Sequence, residues 1–311
     1  MKITRELEGL APPDRGSVVS IGVFDGVHLG HQAILAANLG RARAMGATST
    51  VLTFGSHPKQ VLLGHAPRTL TSLEHRLELF REAGIEHTAA LTFDEHLRHV
   101  SAEDFVARIL IAGLGARAFV LGFDSKFGRD RRGTPAWLSA QGFDVTTVAK
   151  VQVGDRAVSS TAIREAVELG DLEGARRMLG RPVSVLGTVV HGDALGRQLG
   201  FPTANLDLHH ELHPPPGVYF GWARIAGSAE RAGRHGAVAN IGFRPTLRGA
   251  APDRPRLEVH LLDFQADLYG ANVEMSFLGL LRGEQRFSDL DALKAQIARD
   301  CASARIKLAA T

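Results

Sequence analysis

A single cysteine, Cys301, stands in 311 residues. No disulfide can form within the chain, and the expected compartment is a reducing cytoplasm. No run of about 18 uncharged apolar residues occurs, so no membrane span is predicted. The richest apolar stretch, Phe105 to Phe123, is broken by Arg108 and Arg117. Residues 1–10 mix Lys2, Arg5, Glu6 and Glu8 with no apolar core, and a signal peptide is not expected. Dense basic tracts are missing too. The 36 cationic residues, six Lys and thirty Arg, face 33 acids, for a formal net charge of +3. Nucleic acid is therefore not the expected partner, since binding it needs clustered charge against phosphates. No Gly-Lys dipeptide occurs, which excludes a Walker A loop. Tandem repeats and low-complexity linkers are also lacking. What is present is 44% hydrophobic and 22% charged, a globular composition. The length suggests two domains, because single cores stop growing at about 250–300 residues.

The first half alternates short apolar runs with helical patterns. Strands are predicted over Ser17–Phe24, Thr48–Phe54, Thr88–Phe93, Ala118–Gly122 and Val145–Val151. Helices are predicted over Gly30–Met45, Ser72–Ala83, Ser101–Ala112 and Pro135–Gln141, with Ser101 and Asp104 in a capping-box pattern. This alternation implies a doubly wound parallel sheet. A helix in two pieces, Thr161–Leu179, follows. After Gly180-Arg181-Pro182 the chain turns glycine-rich, with short β runs at Ser184–Val190, Gly217–Ala223, Ala237–Ile241, Leu257–Leu262 and Ala271–Leu281. That pattern reads as a small antiparallel barrel or sandwich. One amphipathic helix, Leu290–Leu308, closes the chain. The domain boundary is placed near residue 183, giving domains 1–183 and 184–311.

Gly22-Val23-Phe24-Asp25-Gly26-Val27-His28-Leu29-Gly30-His31 runs from a strand directly into a helix start. A helix N-terminus directs N–H groups and partial positive charge at an anion. Gly26 and Gly30 let a phosphate approach the backbone, and His28 and His31 can donate to its oxygens. A tight turn capped by two histidines is the plainer alternative. A metal pair is a further one, although no Cys or acidic cluster completes it. Val158-Ser159-Ser160-Thr161-Ala162-Ile163-Arg164 also opens a helix. Its hydroxyls are either N-caps or a second anion site. Gly113–Ala118 fits G-x-G-x-x-A, but it follows a helix and precedes a strand, the reverse of a dinucleotide-binding turn. The histidines outside the motifs, among them His87, His96, His99, His209, His210 and His213, read as solvated side chains. Phe105, Val106, Ile109 and Leu110 read as a helical core face.

The two clusters together resemble the H-x-G-H nucleotidylyl transferases. Residues 22–31, Thr53–Pro58, Leu121–Gly133 and Val158–Arg164 resemble, in order and spacing, the adenylyltransferase module of prokaryotic bifunctional FAD synthetase. Gly187–Leu206, with its Gly-Arg-Gln-Leu-Gly-Phe-Pro-Thr-Ala-Asn run, is similar to the riboflavin kinase module of that family. So are Gly217–Tyr219, Ala239–Thr246, Leu257–Phe264, Asp267–Gly270 and Leu281–Phe287. The resemblance implies a Rossmann-like α/β domain, then a small β-barrel kinase domain with a C-terminal helix. It implies that the chain phosphorylates riboflavin to FMN with ATP, then adenylylates FMN to FAD with release of pyrophosphate. Mg²⁺ would accompany ATP in both steps.

In the first module the resemblance implies that Gly22, Phe24, His28, Gly30 and His31 meet ATP phosphates. Ser160, Thr161 and Arg164 would hold the far phosphates, and His57, Asp124 and Phe127 would border the flavin. In the second, Gly192 and Arg197 would belong to the ATP cradle, and Thr203 and Asn205 would hold Mg²⁺ with ATP. Thr203 and Asn205 are two apart on an extended segment, so their side chains point the same way. Glu258 would be the general base, with Arg282 and Glu284 near the flavin. Taken alone, a glutamate on the outer face of a strand is a solvated side chain. Gly55-Ser56 replace an acidic residue and proline of the family, and Ser125 replaces an aromatic. Both departures lie on the flavin side of the first module. They leave open a kinase whose adenylyltransferase is weakened. A relative acting on another phosphate lacks the Pro-Thr-Ala-Asn barrel, and a non-catalytic flavin binder has no need of Glu258.

Overall fold

The computed structural model describes residues 1–55, 58–192, 195–209, 211–225, 233–242 and 256–311. His57, His210 and positions 243–246 of the Ala239–Thr246 motif lie outside the described residues. Tertiary contacts divide the chain into two compact units, Met1–Ser160 and Thr161–Thr311.

The first unit is built on a six-stranded parallel sheet. Its strands are β1 (Lys2–Thr4), β2 (Ser17–Ile21), β3 (Thr48–Phe54), β4 (His87–Leu91), β5 (Ala116–Gly122) and β6 (Val145–Val148), in the spatial order β1-β4-β3-β2-β5-β6. The strands are nearly continuous apolar and hydroxyl runs because helices cover both faces. On one face Val18, Ala118 and Val120 pack with Ala42 of helix Leu29–Met45. On the other, Val19, Ile21, Leu52, Phe119 and Leu121 pack with Phe105, Ile109 and Leu110. From β2 the chain proceeds outward through β3 and β4, then crosses back to β5. The strand order therefore reverses at β2 and β5, the crevice where open α/β sheets bind ligands. A two-stranded hairpin, β7 (Gln152–Val153) with β8 (Arg156–Ala157), follows β6.

The core face of Phe105, Val106, Ile109 and Leu110 is buried as expected, but the helix differs in pitch. One α turn, Ala102–Asp104, gives way to a π-helix, Phe105–Gly113. Apolar pairs four apart suit either pitch, so periodicity does not distinguish them. Ser101 caps this helix, its Oγ accepting from Asp104 N at 3.0 Å and donating to Asp104 Oδ2 at 2.9 Å. Gly113–Ala118 joins that helix to β5, away from any strand-to-helix turn.

The division falls within the first turn of helix Ser160–Glu168, and the second unit continues through that helix into helix Leu172–Leu179. A closed antiparallel barrel follows, made of β9 (Val183–Val190), β10 (Ala204–Asp207), β11 (Gly217–Ile225), β12 (Arg234–Gly242), β13 (Arg256–Leu261) and β14 (Asn272–Arg282). Closure leaves no unpaired edge. Leu257, Val259, Ala237, Ala239 and Met275 fill buried positions along its strands. Helix Leu290–Ala309 lays Cys301, Ala304 and Leu308 over Val218, Phe220 and Val238. Burial pushes the Cys301 thiol up to about 11, so it serves as packing and not as a nucleophile. Among the described residues no helix is long and apolar enough to cross a membrane.

Among the described residues, His75, His87 and His213 depart from the solvated reading, and His75 is buried on helix Leu73–Glu82. His213 is buried and hydrogen-bonds Pro214 O at 2.8 Å. His87 is 3% exposed, and its Nε2 lies 3.1 Å from Thr4 Oγ1 across the β1–β4 pair. The missed cause is β1, three residues with too little pattern to read as a strand, which covers His87. Burial, with Lys2 adding to it, pulls His87 from an ordinary 6.5 down to about 4. Between those values the unfolded chain binds the proton and the folded chain does not. Stability is therefore full above about pH 6.5 and falls as pH drops toward 4, by up to about 3 kcal/mol. Calorimetry of the first unit is expected to show a smaller loss between pH 7 and 4.5 in His87→Gln than in the wild type. Equal losses would contradict it.

Candidate active sites

In the first unit the loop after β2 opens at the sheet's reversal point. Phe24, Gly26 and Val27 take left-handed backbone, with φ of +54°, +80° and +38°. For Phe24 and the β-branched Val27 this costs about 1–3 kcal/mol each. The loop is held in that shape by buried groups. Asp25 Oδ1 accepts from Leu70 N at 2.9 Å and Thr71 N at 3.1 Å. Gly26 N donates to Thr71 Oγ1 at 2.9 Å, so that amide is engaged within the protein. Ser160 Oγ donates to Asp25 O at 2.9 Å. Thr161 and Arg164 follow Ser160 on its helix.

His28 is the N-cap of helix Leu29–Met45, its Nδ1 accepting from His31 N at 3.3 Å. A neutral ring in that role carries its proton on Nε2. The His28 and His31 rings stack at 3.6 Å with 15° between planes. Phe24 packs edge-on beneath His31 at 5.1 Å and against Phe80 at 5.5 Å. Its ring is buried and supports the imidazole from the protein side. A side chain at Gly22 would reach the Phe24 ring at 3.0 Å, and one at Gly30 the His28 ring at 3.2 Å. Gly22 makes room for the buried Phe24 ring, and Gly30 leaves the His28 side of the loop bare, which suits approach of a phosphate.

The other edge of the crevice is the loop after β5. Phe127 and Gly133 exchange backbone hydrogen bonds of 3.0 Å. The Phe127 ring is 6% exposed among Phe105 and Trp137, and a side chain at Gly133 would overlap it. Phe127 thus anchors the loop from inside, and Asp124 stands exposed at its tip.

In the second unit register makes the site. Glu258 of β13 lies opposite Asn205 of β10 and opposite Asn240 of β12. The flanking Leu257 and Val259 are fully buried, so Glu258 faces the outer side of the barrel with both asparagines. Directly opposed residues have Cβ atoms about 5 Å apart, within reach of side-chain hydrogen bonding. A side chain at Gly192 would overlap the Asn205 amide, and one at Gly196 would reach Thr203 Oγ1 at 3.0 Å. Helix Leu195–Gln198, which carries the exposed Arg197, folds back so that Phe201 N donates to Gly196 O at 2.8 Å. Pro202 O lies 2.8 Å from His260 Nδ1, which pins the approach to Thr203. Tyr269 of the Asp267–Gly270 motif stacks on His191 at 3.9 Å, beside Gly192. Thr203 and Asn205 offer neutral oxygens next to a carboxylate and a glycine-bared space. That donor set fits a hard cation that keeps part of its water, as Mg²⁺ does.

Among known proteins, residues 11–162 match the FAD synthetase family and residues 179–308 the riboflavin kinase family. A bifunctional riboflavin kinase/FMN adenylyltransferase of Pseudomonas fluorescens is 42% identical over 315 residues, covering 98% of this chain and 97% of its own. One from Bacillus subtilis (strain 168) is 36% identical over 291 residues, covering 91% and 90%. A solved structure described as a macrolide-efflux protein from Streptococcus pneumoniae is 30% identical, with a TM-score of 0.80 over 97% of this chain and 98% of its own. The chain belongs to the bifunctional riboflavin kinase/FMN adenylyltransferase family. Both family modules are present, each over its own compact unit apart from the two helices that connect the matches.

Within this family setting, several anticipated residues have structural work as well. Arg282 gives Nε and Nη2 to Asp300 Oδ2 at 3.0 and 2.9 Å, and Gln296 Nε2 donates to Asp300 Oδ1 at 2.8 Å. It ties β14 to the closing helix. Glu284 is exposed and sits over Gly242, where a side chain would overlap its carboxylate and approach Asn240 Nδ2 at 3.4 Å. Sequence reasoning missed Asn240 and Asp25, both inside quoted motifs. Alternation along β12 could have found Asn240, since Ala239 and Ile241 are apolar. Gly192→Ala is expected to displace the Asn205 amide without unfolding the barrel. FMN formation should fall about tenfold or more through a raised KM for MgATP. Steady-state kinetics with an unchanged KM would contradict that reading.

Proposed function

We infer that this chain makes FMN from riboflavin and ATP, and FAD from FMN and ATP. The row Asn205–Glu258–Asn240, together with Thr203, carries the kinase reading. The riboflavin 5′-oxygen attacks the γ-phosphorus, ADP departs, and Glu258 takes the hydroxyl proton as general base. Gly192, Gly196 and Arg197 border the ATP polyphosphate, and Glu284 lies on the flavin side with Arg282 behind it. Thr203 and Asn205 would hold Mg²⁺ with ATP, and that ion supplies charge neutralisation on the transferred phosphoryl group.

The stacked His28–His31 pair at the sheet's reversal point supports the adenylyl step. An FMN phosphate oxygen attacks the α-phosphorus of ATP, and pyrophosphate leaves. No covalent enzyme intermediate is required, so catalysis is positioning and charge stabilisation. His28 Nε2–H and His31 donate to ATP phosphates over the bare backbone at Gly30, with Gly22 making room for the Phe24 ring that braces His31. Ser160 closes the loop at Asp25, and Thr161 and Arg164 keep the phosphate role that the resemblance implies. Asp124 borders the flavin, the role that the resemblance also implies for His57. Relatives of both activities align along nearly the whole chain, which favours two steps over a kinase acting alone. A cytoplasmic location fits the use of ATP and a single buried thiol. The functional boundary we place near residue 183, at the start of β9.

Glu258→Ala is expected to lower FMN formation from riboflavin by about 10²–10⁴-fold. FAD formation from supplied FMN, ATP and Mg²⁺ should stay at the wild-type rate. Product analysis that finds undiminished FMN would refute the assigned base, and no FAD from the wild type would refute the adenylyl step.

A further inference from the structure

Arg76 lies on helix Leu73–Glu82 and belongs to none of the motifs. It is 3% exposed. Burying a guanidinium is costly unless its donors are satisfied, so its acceptors are informative. Nη1 donates to Val23 O at 2.5 Å and to Thr53 Oγ1 at 3.1 Å. Nη2 donates to Phe54 O at 3.0 Å, and Nε reaches Ser72 O at 3.4 Å. Thr53 Oγ1 in turn donates to Val23 O at 3.1 Å. One planar fork thus spans the C-terminal ends of two neighbouring strands. Val23 belongs to the left-handed loop that presents His28 and His31. Phe54 is the last residue of β3, the strand whose C-terminal end leads to the side proposed for the flavin. The residues just ahead of Arg76 grip the same loop, through Leu70 N and Thr71 on Asp25 and Gly26.

We propose that Arg76 is a positioning residue for adenylyl transfer, holding the ATP-phosphate loop after β2 and the C-terminal end of β3 in one rigid frame. This rests on the adenylyl reading of the first unit. In-line attack needs the FMN phosphate and the α-phosphorus at a fixed separation, and an error of about 1 Å costs on the order of 10²-fold. Arginine suits the role because its fork meets several carbonyls at fixed angles, which a lysine ammonium on a flexible stem does not. Loss of the fork frees the loop after β2 and the end of β3 together, so both substrates should feel it.

The test uses the full chain, with Arg76→Lys and Thr53→Val. FAD formation is measured from FMN with ATP and FMN each varied, and FMN formation from riboflavin serves as the internal control. Arg76→Lys is expected to lower kcat about 10–100-fold and to raise KM for ATP and for FMN together. Thr53→Val should move the same constants in the same direction by less, and FMN formation should stay within about twofold. A residue that merely stabilises the unit would reduce the active fraction and so kcat, leaving both KM values unchanged. That result, or a KM change for one substrate alone, overturns the proposal. If Arg76→Lys fails to fold, Thr53→Val is judged on the same constants. A wild type that makes no FAD from FMN overturns the adenylyl reading itself, an outcome separate from any effect of the variants.

Discussion

The proposed kinase site depends on the register of β13 between β10 and β12. Side chains alternate with a period of two, so a slip of one residue would turn Glu258 into the barrel and Val259 out. The interior could not accept the carboxylate without a partner, and the buried Leu257 and Val259 hold the register. Barrel closure adds a second restraint, because β10 is also paired with β9 and β12 with β11. Glu258, Asn205 and Asn240 are therefore placed by backbone pairing, with little left to loop conformation. The glycine loop then needs only to stay thin, which Gly192 and Gly196 ensure where a methyl group would collide with Asn205 and Thr203.

The first unit solves a related problem with different means. A parallel sheet leaves its strand ends to be joined by loops, and the loop after β2 must bend through left-handed backbone at Phe24 and Val27. Such a shape persists only when its surroundings over-determine it. Asp25 and Arg76, both buried and both hydrogen-bonded to backbone groups, supply that determination. The stacked imidazoles then sit on a helix N-terminus with Phe24 beneath them. Charge inside the protein shapes the loop that carries His28 and His31.

Much of this was legible in the sequence, and for physical reasons. Strong period signals located the parallel strands, the long helix after β2, the closing helix and five of the six barrel strands to within a few residues. Short elements were not legible. β1 and the β7–β8 hairpin are too brief to show alternation, and β10, four residues long, takes in only the Ala-Asn half of the Pro-Thr-Ala-Asn motif. The π pitch of Phe105–Gly113 shares its apolar spacing with an α-helix. Motif residues were found because their types are unusual in sequence, as with His28 and His31. Arg76 and Asn240 were missed because an arginine in a helix and an asparagine in a strand look like surface, and only tertiary pairing shows otherwise. His87 read as solvated for the same reason, since β1 covers it from more than eighty residues away.

The claim that one chain carries two successive phosphate chemistries has a direct stoichiometric consequence. With riboflavin as the limiting flavin and excess ATP and Mg²⁺, each FAD formed requires one γ-phosphoryl transfer and one adenylyl transfer. Quantifying nucleotides and pyrophosphate at completion is expected to give one ADP and one pyrophosphate per FAD, with FMN rising and then falling. ADP and FMN accumulating with no pyrophosphate would contradict the account.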